Sequence, residues 1–193
     1  MDHPPPARAP ESLDARTRIL DAAEAIVQAR GVPALTLEAA ARDAGVSKGG
    51  LLYHFASKQA LLIGLMQRLA QFVSLEIQAG IEAEPPGPHR VARACLAWFL
   101  NDNPVCLTEE RYDRASAVFL AAHHHDPALL DPIRAVFQAQ KAALLADGTP
   151  PGPGLAIMAA GDGLFMAHIF GTWSITDSER AALRETLTGL LAS

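Results

Sequence analysis

Cysteine is scarce in this 193-residue sequence: there are two, Cys95 and Cys106, eleven apart, with no CxxC pair or histidine–cysteine cluster beside them. That leaves two readings, a pair of reduced thiols in a cytoplasmic protein or a redox-sensing pair. Charge is also sparse, at 19% of residues against 50% hydrophobic, which excludes a disordered chain and requires a core. No run approaches the roughly 18 uncharged apolar residues of a membrane helix, so no membrane partner is expected. The opening Met-Asp-His-Pro-Pro-Pro lacks the basic-then-apolar layout of a secretion signal, which points to the cytoplasm. Missing too are a G-x-S-x-G elbow, a glycine loop after a strand and an H-E-x-x-H pair, and Gly49-Gly50 follows a helical turn. The expectation is a protein that is not an enzyme and has no cofactor and no metal.

What is present is helical spacing. No segment alternates with period two for long enough to build a sheet, so the fold class is all-α, with about nine helices. The most informative stretch is residues 36–58, TLEAAARDAGVSKGGLLYHFASK. Thr36 precedes small apolar residues at helical spacing and reads as an N-cap. Gly45 closes that short helix, and Ser47 can cap a second one running through Lys48-Gly49-Gly50-Leu51-Leu52-Tyr53-His54-Phe55. Two short helices around a glycine-containing turn make a helix-turn-helix, whose second helix fits a DNA major groove. Two glycines weaken that helix and make sense where something approaches the backbone closely. Ser47, Lys48, Tyr53, His54 and Lys58 supply donors suited to phosphate, while Leu51 and Phe55 face inward. Tyr53, His54 and Lys58 are read as phosphate contacts; Lys48 and Gly49, nearer the helix start, are read as setting base preference. The candidate DNA-binding set is therefore Thr36, Ser47, Lys48, Gly49, Gly50, Tyr53, His54 and Lys58.

With RTRILDAAEAIVQARG before it, the run TLEAAARDAGVSKGGLLYHFASKQALL resembles the DNA-binding domain of the TetR family of bacterial repressors, over about residues 14–65. The cap, turn glycine, S-K-G, Y-H-F and S-K elements all fall in register. The resemblance implies a homodimer, with a three-helix DNA-binding head and a larger ligand-binding, dimerising body. One departure stands out: many relatives carry two consecutive aromatics before the His-Phe pair, whereas here Leu52 precedes Tyr53.

The net charge of −5 is unevenly placed. Residues 11–64 hold six Lys/Arg and six Asp/Glu, whereas residues 65–193 hold nine against fourteen, so the acidity lies in the body. A neutral head should bind non-specific DNA weakly and salt-sensitively.

The expected organisation is a disordered, proline-rich arm over 1–13, a DNA-binding domain over 14–56, and an effector-binding and dimerisation domain over 57–193. The first helix runs from Asp14 to Arg30, with Ile19, Ala23, Ile26 and Val27 as its buried stripe. Ser57 caps a long helix leaving the head, through which movement in the body could reposition the reading helix. Glu84-Pro-Pro-Gly-Pro88 breaks it. Helices follow over 89–100, 108–124, 128–146 and 155–170, with Asp147–Gly154 as a mobile loop. Thr176 with Glu179 forms a capping box for the last helix.

Three body features carry functional readings. Trp98, Phe99, Phe119, Phe137 and Met158, with His123 as a polar contact, are candidates to line a small-molecule cavity between helices, or else simply fill the core. The run His123-His124-His125 is either a solvated helix end or a metal or pH-sensing site; adjacent helical residues diverge by about 100°, which disfavours one shared ion. The small residues Ala160, Gly163 and Ala167, with Leu164 supplying area and the stripe Leu183, Leu187 and Leu190, fit a four-helix dimer interface, where the resembled family also dimerises. Asp162 between two glycines reads as an interface carboxylate or a ligand contact. The function this supports is a repressor released from a double-stranded palindromic operator by a small apolar or amphipathic effector. The rival is a helical ligand- or metal-binding enzyme with a vestigial helix-turn-helix.

Overall fold

The computed structural model describes residues 14–100, 120 and 126–192. Among them are eight α-helices, two short 3-10 turns and no strand. The helices are α1 (Ala15–Arg30), α2 (Leu37–Asp43), α3 (Lys48–His54), α4 (Lys58–Ala83), α5 (Arg90–Phe99), α6 (Asp131–Ala146), α7 (Pro151–Phe170) and α8 (Asp177–Gly189). The expected arm over 1–13 and, apart from Leu120, the expected helix over 108–124 lie outside the described residues, as do Cys106, Phe119 and His123–His125.

The chain divides into two compact units, residues 1–65 and 66–193. In the first, the local signals act as the sequence implies. Asp14 accepts from the Thr17 amide at 2.7 Å and opens α1. Ile19, Ala23, Ile26 and Val27 are all buried, with Leu20 beside them. Thr36 Oγ1 accepts from Ala39 N at 3.0 Å and opens α2. That helix ends in a Schellman turn: Val46 N donates to Ala41 O, Gly45 N donates to Arg42 O, and Gly45 takes φ +64°. Ser47 Oγ accepts from Gly50 N and Ser57 Oγ from Ala60 N, each at 3.0 Å, opening α3 and α4. The unit boundary falls inside α4, nine residues beyond the boundary drawn after residue 56. The reason is packing: Leu61, Leu62 and Leu65 on the first turns of α4 are buried, and Gly64 lets Phe55 and Leu20 come close enough that a methyl there would meet Phe55 Cε1 at 2.7 Å.

In the second unit α5 is central, packing against α6, α7 and α8. Its Val91, Ala92, Cys95, Leu96 and Leu100 form one core with Leu144 of α6, Ile157 of α7 and Leu187 of α8. The expected loop over 147–154 is shorter than its Pro/Gly content implies. α7 begins at Pro151, because proline's missing N–H is no loss in a first helical turn and its φ is already helical. Asp147 fixes what remains of the loop. Its Oδ2 accepts from the Val91 amide at 2.7 Å, and its Oδ1 accepts from Thr149 N and Thr149 Oγ1 at 3.0 and 2.5 Å. The start of α5 is therefore satisfied by a side chain 56 residues away, next to His89, which adopts a left-handed φ of +55°.

Two helices, α4 and α7, are long and apolar enough by length and composition to cross a membrane. Counting uncharged runs overlooks them because isolated charges such as Arg68 and Asp162 interrupt each one. Much of α4 nonetheless contributes to cores, whereas α7 leaves most of its surface uncovered in this single chain.

Candidate nucleic-acid interface and body

α3 presents two faces. Leu51 is fully buried and Phe55, just beyond the helix, nearly so. Lys48, Gly49, Leu52 and Tyr53 are all exposed, Tyr53 to 86%. His54 is half-buried, with the Tyr53 ring edge-on to it at 5.0 Å and 84°. Thr36, Ser47 and Gly50 serve the frame, as two caps and the amide that Ser47 receives. Arg16 adds a cation over the Phe55 ring, 5.4 Å from its centroid.

Two lysines assigned to the DNA face also have partners within the head. Lys58 Nζ donates to the Val32 carbonyl at 2.7 Å in a part-buried position, tying the start of α4 to the turn after α1. Lys48 Nζ donates to Glu38 Oε1 at 2.7 Å, an exposed pair between the first turns of α2 and α3. That hydrogen bond, with the positive charge behind it, holds the Glu38 carboxyl below its usual value. Asp43 is shared by Arg30 and Arg42 at 3.5 and 2.9 Å. Part of the head's charge is thus held in pairs, two of which, Arg30–Asp43 and Lys48–Glu38, join residues ten or more apart in sequence.

In the body, Trp98 and Phe99 sit side by side with ring centroids 5.1 Å apart. Phe99 and Met158 pack on the core described above, while Phe137, on α6, is half-buried. Gly161 lies directly against Phe99, and Gly154 against Leu144, so these two glycines serve crossings within the chain. The dimer set divides likewise. Ala167 and Leu187 are buried in their own subunit, and Ala160, Leu164 and Leu183 lean on the same core. Gly163 and Leu190 are exposed. The burial of Ala167 is not legible in the sequence because α7 carries two apolar stripes, one for each side, and composition alone cannot separate them. The outward stripe runs through Leu155, Ala159, Asp162, Gly163, Met166 and Phe170, at helical spacing. Phe170 is 63% exposed, and Trp173 just beyond the helix 54%. Partial burial pushes the Asp162 carboxyl above its usual value.

Sequence reasoning also missed Gln140. It is buried, its Nε2 donates to Cys95 Sγ at 3.2 Å, and its Oε1 has no hydrogen-bond partner among the described residues. One of two glutamines on a helix that also carries Arg134 and Lys141 gives no signal of such burial. Burial pushes the Cys95 thiol up to about 11, against a smaller opposing effect of the Gln140 contact, so the thiol stays protonated at neutral pH.

This geometry agrees with comparisons to known proteins. Residues 19–65 match the family model described as bacterial regulatory proteins, tetR family, and residues 89–192 match that of the tetracyclin repressor-like C-terminal domain. The second match alone covers more than half of the chain, and the protein belongs to the TetR family. Among curated proteins, the uncharacterized HTH-type transcriptional regulator TtgW of Pseudomonas putida is 44% identical over 54 residues, 28% of this chain and 40% of that protein. The HTH-type transcriptional regulator EthR of Mycolicibacterium smegmatis is 25% identical over 92 residues, 48% of this chain and 42% of that one. The matched region thus spans less than half the length of either relative. Among solved structures, the multidrug binding protein EbrR complexed with malachite green is 27% identical over 94% of this chain and 99% of that chain, with a TM-score of 0.61. A TetR family member from Streptomyces coelicolor A3 shares the fold at a TM-score of 0.65 and 24% identity, over 92% of this chain and 98% of that one.

Proposed function

We propose that this protein is a one-component repressor that binds a palindromic double-stranded operator as a homodimer and is released by a small apolar or amphipathic effector. The observation that carries the reading is the outward face of α3: four exposed residues on a short helix whose opposite side is locked into the head by Leu51 and Phe55. Such a helix is presented rather than packed, and its width suits a major groove. Tyr53, His54 and Lys58 contact phosphates, with Lys58 keeping two further N–H donors beyond the one held by Val32. Lys48 and Gly49 face the bases.

The dimer reading is supported by the outward stripe of α7. An apolar surface of this kind on one chain calls for a cover, and a two-fold partner presents the same stripe back. Gly163, where an added methyl would meet nothing within 4 Å, lets the second backbone approach. The interface residues this favours are Leu155, Gly163, Phe170, Trp173 and Leu190, with Ala160, Leu164 and Leu183 behind them. The effector reading rests on the aromatic and methionine side chains of α5, α6 and α7, and on Gln140 Oε1 as a buried acceptor for an effector's N–H or O–H. The multidrug binding protein EbrR, which shares the fold, has been solved with malachite green and with ethidium. Release then follows from a difference in effector affinity between the DNA-bound and free states.

The deciding experiment is fluorescence anisotropy with duplex DNA from the protein's own promoter region. Saturable nanomolar binding that weakens with salt and exceeds binding to scrambled DNA supports the reading. Equal binding to both duplexes sinks it. Light scattering at micromolar concentration tests the dimer: wild type should run as two chains, and Phe170→Glu with Trp173→Glu as one.

A further inference from the structure

Lys48, Gly49, Leu52 and Tyr53 stand three and four residues apart on α3, so they project from the same side. Three of them have plain uses at a nucleic-acid surface: a cation, a gap, and an aromatic hydroxyl. Leu52 has none of these. It is 40% exposed, about 100° around α3 from the core residue Leu51. The exposed part of an aliphatic side chain there offers phosphate nothing. Beside it, Gly49 leaves a hollow: a methyl built there would find only Ser47 Oγ, at 4.0 Å.

We propose that Leu52 reads thymine, its isobutyl group packing on the C5-methyl of one thymine in each half-site. The inference rests on the DNA-binding reading above. A leucine neither donates nor accepts a hydrogen bond, so it cannot read the donor and acceptor pattern of a base edge. The apolar feature in the major groove that marks a base is the thymine methyl. The hollow at Gly49, three residues earlier on the same side, allows the helix backbone to come close enough for a side chain as short as leucine to touch base edges. Lys48, one turn before Leu52, is held toward Glu38 by its 2.7 Å bond, which keeps the ammonium to one side of the leucine. Tyr53 reaches farther out and bounds the other side. Removing one buried methyl contact weakens binding about threefold to fourfold, and a pair of half-sites compounds this to about tenfold.

The test uses the full chain and an operator selected from a random duplex library. The operator is remade with 2′-deoxyuridine in place of thymine, one symmetric pair at a time, which removes the methyl and leaves the pairing intact. Wild type should lose about tenfold at one symmetric pair of thymines. Leu52→Ala, with unchanged circular dichroism, should bind the thymine and deoxyuridine versions equally at that pair. Leu52→Gln, put through selection again, should exchange that thymine for adenine, which glutamine reads through N6 and N7. The proposal is overturned if wild type is indifferent to every substitution, or if Leu52→Ala keeps the wild-type discrimination. A wild-type protein that enriches no sequence at all is a different failure, since it removes the regulator reading and Leu52's role with it.

Discussion

The two units of this protein begin their helices in opposite ways. In the first, α1 to α4 are each opened by the residue just before them or at their threshold: Asp14, Thr36, Ser47 and Ser57 accept from amides at 2.7 to 3.0 Å. In the second, α5 is opened by Asp147, which is remote in sequence, and α7 by prolines with no side-chain cap. The first unit is therefore specified by short-range chemistry, and its helices are defined before they pack. The second, apart from α8 with its own capping box, depends on contacts made only when distant segments meet. A reading helix must hold one geometry. Under the proposed function, a body that answers an effector gains from elements whose ends are fixed by tertiary contacts, which a ligand can rebalance.

The sharpest test compares the anchors. Leu51 in the first unit and Ile157 in the second are both fully buried. Truncating either to alanine should cost about 2–5 kcal/mol, since each removes apolar contacts and leaves a cavity. Urea unfolding followed by circular dichroism measures both. If Ile157→Ala costs less than about 1 kcal/mol, the body core is loosely packed and the contrast lies in packing as well as in caps.

Next come the caps themselves. Asp147→Ala removes the acceptor for Val91 N, Thr149 N and Thr149 Oγ1 together, and should destabilise by about 2–3 kcal/mol. Ser47→Ala removes one local cap and should cost about 1 kcal/mol. The larger loss belongs to the remote cap because two segments come apart with it. Acid should separate the variants further. Burial alone would raise the Asp147 carboxyl, but the hydrogen bonds from Thr149, Val91 and Ala92 outweigh it and hold the carboxyl below its usual value. A folded-state pKa below the unfolded one stabilises above the unfolded value and is lost as pH falls through the folded value. Wild type should therefore lose this increment below about pH 4, and Asp147→Ala should show a flatter acid limb. Parallel acid limbs for the two proteins would mean that the Asp147 network contributes little.

The same contrast explains what could be read from the sequence. The all-helical class, the span of α1, the turn at Gly45 and the caps at Thr36 and Ser47 rest on signals within four residues of one another, and each is where the spacing puts it. The capping box of Thr176 and Glu179 is of the same kind. The role of Asp147, the early start of α7 and the burial of Gln140 depend on partners far along the chain. Pro/Gly content pointed the wrong way at residues 151–154 because proline serves a first helical turn as well as it serves a loop. Two apolar stripes on one helix look like one apolar helix, which is why the burial of Ala167 and the exposure of Phe170 were not told apart. At the candidate DNA face the residue types were legible but their partners were not: Lys48 and Lys58 are both engaged by neighbours outside their own helices.

The smallest expected effect on stability is also the one that reaches function most directly. Glu38 and Lys48 form an exposed pair, with side chains 66% and 62% accessible, so Glu38→Gln should leave the urea midpoint unresolved from wild type. DNA binding should change regardless. The carboxylate sits beside α3, and under the proposed DNA-binding reading it competes with DNA for the Lys48 ammonium and repels phosphate. Removing it frees one cation and one unit of charge at the interface. Each additional phosphate neutralised steepens the dependence of log affinity on log salt by about 0.9. Glu38→Gln should therefore bind non-specific duplex more tightly at low salt, with a slope steeper by about one, and its preference for the selected operator should narrow. A variant with an unchanged slope would show that Lys48 already exchanges Glu38 for DNA without cost. Glu38 would then be a spectator, and the head's neutrality would have no bearing on how it finds its site.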